Sequence, residues 1–414
     1  MESNSTEWLG KMPLEWKFTT IGKIYEERKT KVLDTDYEAL SITKNGIVKQ
    51  LSSAVKASEG SDRKLVCQGD FVINSRSDRR GSNGISNYDG SCSVINTVIH
   101  SRENTDTKYF DYVLTTDMFS EEFYRWGHGI ASDLWTTRWQ EMKKIMLPLP
   151  PKEEQKRISE FLDKKCENID KIIEQSALAL EEFKRIKSSI IEQAITRGIN
   201  VNEQLVQSGY KEYGLIPSHW KIVKLKRIFR IKKEIAGKEG IQVLSITQKG
   251  IIPKDITKNE GQMAQDYSGY QFVSKGDYAM NHMDLLTGWV DISIYDGVTS
   301  PDYRVFVLND ESSFSKKYYL YFLQYCYSKQ IFYSLAQGVS EFGRCRLKAD
   351  KFLHYDVLYP PYKEQCEIAE YLDEKTGIVD NNISKIEATI DILKKYRNTI
   401  IYDYATGKKE VPQE

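Results

Sequence analysis

The sequence predicts an α+β protein built twice: two strand-rich mixed α/β globular units separated by two long helices that pair as a coiled coil, related by a pseudo-two-fold tandem duplication. Three observations predict it. Residues 150–165 have an ungapped counterpart at 360–375, 210 positions later, and the register continues to Thr196 over Thr406. A weaker repeat lies upstream, where Pro13, Trp16 and Lys17 precede Pro217, Trp220 and Lys221 by 204 residues. At that offset Leu40, Ser41, Ile42 and Thr43 match Leu244, Ser245, Ile246 and Thr247; further on, Gly69, Asp70 and Asn74 match Gly276, Asp277 and Asn281 at 207. Finally, the segment after each Pro-Pro pair carries apolar residues every seven positions.

These repeats divide the chain into a globular unit at 1–149, a helical spacer at 150–200, a second globular unit at 201–359 and a second spacer at 360–414. A length of 414 residues suits several packed units, and a hydrophobic content of 40% with 26 tyrosines supplies their cores. In the first unit 65–67 and 71–73, flanking the turn at Gly69-Asp70, read as a hairpin, and 272–273 with 278–280 read likewise in the second. Asp89-Gly90 and Asp296-Gly297 mark a further turn in each. Aromatic-rich stretches at 109–126 and 318–335 read as helices.

The first spacer has neither Pro nor Gly over 153–197. Its seam is Leu162, Ile169, Ser176, Phe183 and Ile190, supported by Ile158, Ile172 and Ile186. The second seam, Leu372, Val379, Ile386, Leu393 and Ile400, has no polar interruption. At about 1.5 Å rise per residue each helix runs roughly 60 to 65 Å, and its apolar stripe finds its partner in the other helix, the alternative being two separate helices that each cap their own globular unit.

Several chemistries are excluded for want of their residues. The six cysteines are scattered without a Cys-x-x-Cys pair and the five histidines lie apart, so neither a zinc finger nor a disulfide framework is expected, and no metal. The amino terminus is polar and no apolar run is long enough for a membrane span, which points to a cytoplasmic protein with free thiols. An amino-methyltransferase needs Asn or Asp before Pro-Pro-aromatic; Tyr359 stands there instead, and no glycine-rich cofactor turn follows a strand. Gly407-Lys408-Lys409 lacks the first glycine and the hydroxyl of a phosphate loop. The dense carboxylates, such as Asp373 and Glu374, sit on helices as a solvated face. No catalytic residue and no cofactor is expected, which leaves recognition and scaffolding.

Three segments have the composition of a nucleic-acid surface. Residues 74–84 place Arg76, Arg79 and Arg80 among Asn, Ser and Gly, ending in Asn83-Gly84; an arginine fork matches guanine O6 and N7, and asparagine matches adenine N6 and N7. Residues 220–233 hold Lys221, Lys224, Lys226, Arg227, Arg230, Lys232 and Lys233 without an acid, with Ile222, Leu225, Ile228 and Phe229 as the inward face of an amphipathic segment. Before each spacer comes a third: Arg125 to His128 with Thr136, Thr137 and Arg138 in one copy, and Gln337-Gly338 with Arg344, Cys345, Arg346, Leu347 and Lys348 in the other. The second unit is mildly basic, with 21 basic and 17 acidic residues over 201–359, inside a chain whose formal net charge is zero.

The duplicated run Pro-Pro-x-x-Glu-Gln-x-x-Ile-x-x-Phe/Tyr-Leu-Asp at 150–163 and 360–373, with Pro-x-x-Trp at 13–16 and 217–220, resembles the DNA specificity subunit of type I restriction-modification systems. The resemblance implies two target-recognition domains at opposite ends of an antiparallel helix pair and a non-catalytic subunit that reads double-stranded DNA. It also implies docking of two methyltransferase subunits and, for cleavage, of motor/nuclease subunits. Two diverged readers imply an asymmetric, bipartite site with an unread gap. The alternative is a coiled-coil adaptor that joins proteins without reading DNA, and a self-sufficient methylating enzyme would need the cofactor pocket that is missing.

Overall fold

Free of proline and glycine over 153–197, the first spacer folds as one unbroken helix, α1 (Lys152–Arg197), and the second, with Gly377 inside it, as α2 (Tyr362–Ala405). In this computed structural model the described residues are 6–412 except 34, 45, 51–61, 104, 106, 130–134, 256–266 and 337–345. The repeated signature is explained by how each helix begins. Gln155 Nε2 donates to the Pro150 carbonyl at 2.8 Å and Gln365 Nε2 to Pro360 at 2.9 Å, holding the proline pair against the first turn. The glutamate before each glutamine takes the indole N–H of the distant tryptophan: Trp16 to Glu154 at 2.9 Å and Trp220 to Glu364 at 3.0 Å. Both acids also sit where the helix macrodipole favours negative charge. At the far ends Gly198 (φ +73°) and Gly407 (φ +71°) take the left-handed conformation that terminates a helix. A side chain at 407 would also strike the Pro13 ring at 2.5 Å.

The chain divides into two compact units, residues 1–178 with 387–414, and residues 179–386. Each long helix therefore gives its two halves to different units, and the helices run antiparallel: Asp170 of α1 meets Arg397 of α2 in the first unit, and Lys187 meets Asp380 in the second.

In the first unit an antiparallel sheet is formed by β1 (Tyr25–Glu27), β2 (Phe71–Asn74), β3 (Asn83–Ile85) and β4 (Asn96–Ser101), in the spatial order β1-β4-β2-β3. Side chains alternate between faces along a strand. Phe71, Ile73 and Ile99 face the aromatic helices Lys108–Leu114 and Asp117–Arg125, while Val72 and Val98 face a second layer with Leu40, Ile47, Val66 and Cys92. Both faces are buried, so Phe71→Ala costs about 3–5 kcal/mol.

The second unit repeats this plan with β5 (Phe229–Lys232), β6 (Tyr278–Met280), β7 (Val290–Ile292) and β8 (Arg304–Leu308), in the order β5-β8-β6-β7. Tyr278, Met280 and Phe306 face the helix Lys316–Ser328; Ala279 and Val305 face Leu244, Ile246, Ile251 and Val273.

Four sequence expectations need correction. The stretches flanking Gly69-Asp70 are strands but not a hairpin: Asp62–Val66 pairs with Lys31–Leu33 and Gly90–Ser93, while β2 pairs with β3 and β4. The turn carries the chain from one layer to the next, with Gly69 at φ +90° and the Asp70 carboxylate taking the Cys67 N–H and the Arg28 guanidinium. Gln271–Val273 and β6 are separated in the same way, and Lys232 with Asp277 replaces the Arg28–Asp70 pair. The helix expected over 109–126 breaks at Thr116, whose hydroxyl caps the second helix by accepting the Phe119 N–H at 3.1 Å. On α1, Ile172 and Ile186 are exposed at 47% and 40%, off the seam. The seam positions themselves are buried at Leu162, Ile169, Leu372, Val379 and Ile400 and half-buried at Phe183, Ile190, Ile386 and Leu393. Finally, 221–232 is a strand, a short turn of helix and β5, rather than one amphipathic segment; Leu225, Ile228 and Phe229 do point inward and Ile222 is half-buried.

Candidate nucleic-acid interface

Strand β2 ends at Asn74, and residues 75–82 form the loop that leads to β3. Asn83 and Gly84, expected in this loop, belong to β3, paired with Ile73 and Val72, and Asn83 is half-buried. The loop is braced at its root. Asn74 Oδ1 accepts the Arg76 N–H at 3.0 Å, the Asn74 N–H donates to the Ser82 carbonyl at 2.9 Å, and the Tyr124 hydroxyl donates to the Asn74 carbonyl at 2.8 Å. Arg76, Arg79 and Arg80 are all exposed. Arg80 pairs with Glu121 at 3.2 Å and lies 5.6 Å from the centre of the Tyr124 ring.

The fold brings a second candidate segment against the first. Arg76 and Thr136 form an antiparallel bridge, Thr136 bridges also to His128, the Ser77 N–H donates to the Trp135 carbonyl at 3.0 Å, and the Thr137 N–H to Ser75 at 3.0 Å. Arg138, exposed, follows directly at the start of the helix Trp139–Met142. Arginines far apart in sequence thus share one loop cluster at the end of β2.

In the second unit the same root recurs. Asn281 Oδ1 accepts the Met283 N–H at 3.2 Å, the Asn281 N–H donates to the Trp289 carbonyl at 3.0 Å, the Tyr327 hydroxyl donates to the Asn281 carbonyl at 2.6 Å, and the Leu347 N–H to His282 at 3.0 Å. Arg346 is exposed, paired with Asp302 at 2.9 Å, and its Nε lies 2.7 Å from the Met283 sulfur. Arg344 lies outside the described residues.

The remaining basic candidates stand on other elements. Lys221 and Lys224 are exposed on the strand Lys221–Lys224, which pairs with Asp356–Tyr359 just before α2; Lys224 is neutralised by Asp356 at 3.1 Å. Lys226 Nζ lies 3.4 Å from His354 Nε2, and the Arg227 guanidinium lies over the Tyr359 ring at 5.4 Å.

Sequence reasoning passed over His282 and Arg304, both buried. They stand 207 residues after Ser75 and Thr97, whose hydroxyls are hydrogen-bonded at 2.8 Å in the first unit. Arg304 Nη2 donates to the Leu347 carbonyl at 2.6 Å, and its guanidinium lies 5.3 Å from the centre of the Phe352 ring. Burial draws its pKa down to about 10. Burial, with Arg304 and Arg346 beside it, holds the His282 imidazole at about 3, so it is neutral. The 207 offset was legible around both residues, yet the change from Ser and Thr to His and Arg hides their equivalence.

Among the described residues no group of three His, Cys, Asp or Glu side chains is placed to hold a metal ion, and no helix is long and apolar enough to cross a membrane.

Two equivalent α/β units, each with an interlocked loop cluster at the end of its central strand, define a duplicated recognition scaffold. The chain belongs to the type I restriction modification DNA specificity domain family, whose model matches residues 13–182 and 217–392. It is 25% identical over 284 residues to the type I restriction enzyme MjaVIII specificity subunit of Methanocaldococcus jannaschii, covering 65% of this chain and 63% of the relative. It is 24% identical over 233 residues to the putative type I restriction enzyme MjaX specificity subunit of the same organism, covering 49% and 52%. The chain thus spans between half and two thirds of the length of these relatives. A solved chain from a study of complex assembly and conformational transition of the type I R-M system shares its fold, with a TM-score of 0.64 at 15% identity over 96% of this chain and 100% of that one.

Proposed function

We propose that this chain is the non-catalytic specificity subunit of a type I restriction-modification complex, reading an asymmetric bipartite site on double-stranded DNA. Residues 1–149 and 201–359 act as its two target-recognition domains, and 150–200 and 360–414 as the spacers between them. The observation that carries the reading is the loop cluster of the first unit, where Arg76, Arg79 and Arg80 project from a root whose Asn, Tyr and backbone hydrogen bonds recur in the second unit around different side chains. One root with two chemistries favours two unlike half-sites, since base edges are read by the side chains a loop presents.

Docking of two methyltransferase subunits and of motor/nuclease subunits is part of the same proposal. Exposed apolar side chains on the long helices support it: Ile172 and Leu178 with Ile392 and Tyr396 in the first unit, and Ile186 with Ile378 in the second. Ile392 and Tyr396 lie four residues apart and so share one face of α2, and neighbouring exposed apolar side chains favour a docking surface.

A DNA shift assay tests the reading, run with the chain alone and with a methyltransferase partner over several salt concentrations. Sequence-selective binding by the assembled pair is expected. Assembly without any selectivity would support a coiled-coil adaptor instead.

A further inference from the structure

The two units share one root but differ at every exposed arginine of the first loop. At the 207 offset Arg76 is replaced by Met283, Arg79 by Leu286 and Arg80 by Thr287. The second loop is firmly set. Leu285 is buried in the core of its unit, and the Asp284 carboxylate accepts the Leu286 N–H at 3.1 Å, the Thr287 N–H at 2.8 Å and the Thr287 hydroxyl. Asp284 is thereby spent inside the loop, and Thr287 has its hydroxyl engaged and its methyl left over. Leu286, 44% exposed, and Thr287 form the outward part of the loop, with Arg346 beside Met283.

We propose that residues 283–287 are the base-reading loop of the second unit, and that Leu286 and the Thr287 methyl contact the C5-methyl group of thymine where the first loop reads guanine. This rests on the reading of the chain as a DNA specificity subunit. A single exposed leucine is ordinary on any protein surface. Three matched positions lose a guanidinium, to Met, Leu and Thr, on a root that keeps its Asn, Tyr and backbone hydrogen bonds, and this is a change in what the loop can recognise. The major groove offers one apolar feature for such a loop, the thymine methyl, and two acceptors on guanine for the arginine loop.

The experiment uses the chain assembled with its methyltransferase partner and duplexes carrying its recognised site. Thymines of the second half-site are replaced one at a time by deoxyuridine, which removes only the methyl. The wild type should bind one substituted duplex about fourfold more weakly, the factor supplied by burial of one methyl-sized group. The double variant L286A/T287S keeps the hydroxyl that Asp284 holds; it should bind thymine and deoxyuridine duplexes alike while still discriminating the first half-site, which reports that the complex is folded. A wild type indifferent to every replacement, a second half-site without an A·T pair, or a variant that keeps the fourfold difference would overturn the assignment alone. A wild type that prefers no sequence would overturn the specificity reading, and the assignment with it.

Discussion

Arg397 donates to both carboxylate oxygens of Asp170, at 2.8 and 3.1 Å, and its counterpart Lys187, 210 residues earlier, holds both oxygens of Asp380 at 2.7 Å. The cations are related by the offset of the spacers, and so are the acids. The two ion pairs are copies of one another, fixing the antiparallel register of α1 and α2 at matched positions. Burial works against the Arg397 charge and the Asp170 hydrogen bonds overcome it, so its pKa is raised.

A double-mutant cycle on Arg397 and Asp170, read by urea denaturation, should give a coupling on the order of 1 kcal/mol, at the upper end for a partly exposed pair because the arginine fork is bidentate. The cycle on Lys187 and Asp380 should give less, since an ammonium lacks that planar fork. Equal couplings would mean that register, rather than fork geometry, sets the energy.

His282 makes the second unit sensitive to acid. Its folded pKa of about 3 lies below the ordinary histidine value, so below about pH 6.5 the unfolded chain takes a proton that the folded chain refuses. Stability is unaffected by this group above that pH and falls as pH drops from about 6.5 to 3, by up to about 1.4 kcal/mol per pH unit. His282→Gln should flatten that part of the profile; identical slopes in the two proteins would show that the ring is not buried neutral.

Replacing Arg76, Arg79 and Arg80 together by Ala should lower specific affinity of the assembled complex about tenfold or more, since loss of a single base contact worth about 1–3 kcal/mol reaches that factor. The loop root uses Asn74 and Tyr124, so unfolding midpoints should move little. Unchanged affinity across salt concentrations would remove this loop from the interface.

Exchange of residues 1–149 for another reader should alter one half of the methylated sequence, as seen by sequencing modified DNA. A change in both halves would defeat modular reading.

The helices and the duplication were legible because their signals are local and periodic: no proline or glycine over 153–197, the heptad seam in both spacers, and an offset held over many residues. Strand pairing was not. The turn at Gly69-Asp70 looks like a hairpin tip, and only the layer of Leu40, Val66 and Cys92 under Val72 shows that the chain changes sheets there. Arg76, Arg79, Arg80 and Arg138 could be named from composition, but their assembly depends on the bridge between Arg76 and Thr136, a non-local contact. Met283, Leu286 and Thr287 carry no compositional signal and emerge only from the shared root of the two loops.

The central claim is that one chain reads two unlike half-sites separated by a gap its helices set. Insertion of one heptad into α1 between residues 174 and 187, with a matching heptad in α2 between 380 and 393, lengthens the pair without touching either loop cluster. Sequencing of DNA methylated by the assembled complex should then return both original half-sites with an altered gap. Altered half-sites with the original gap would contradict the account.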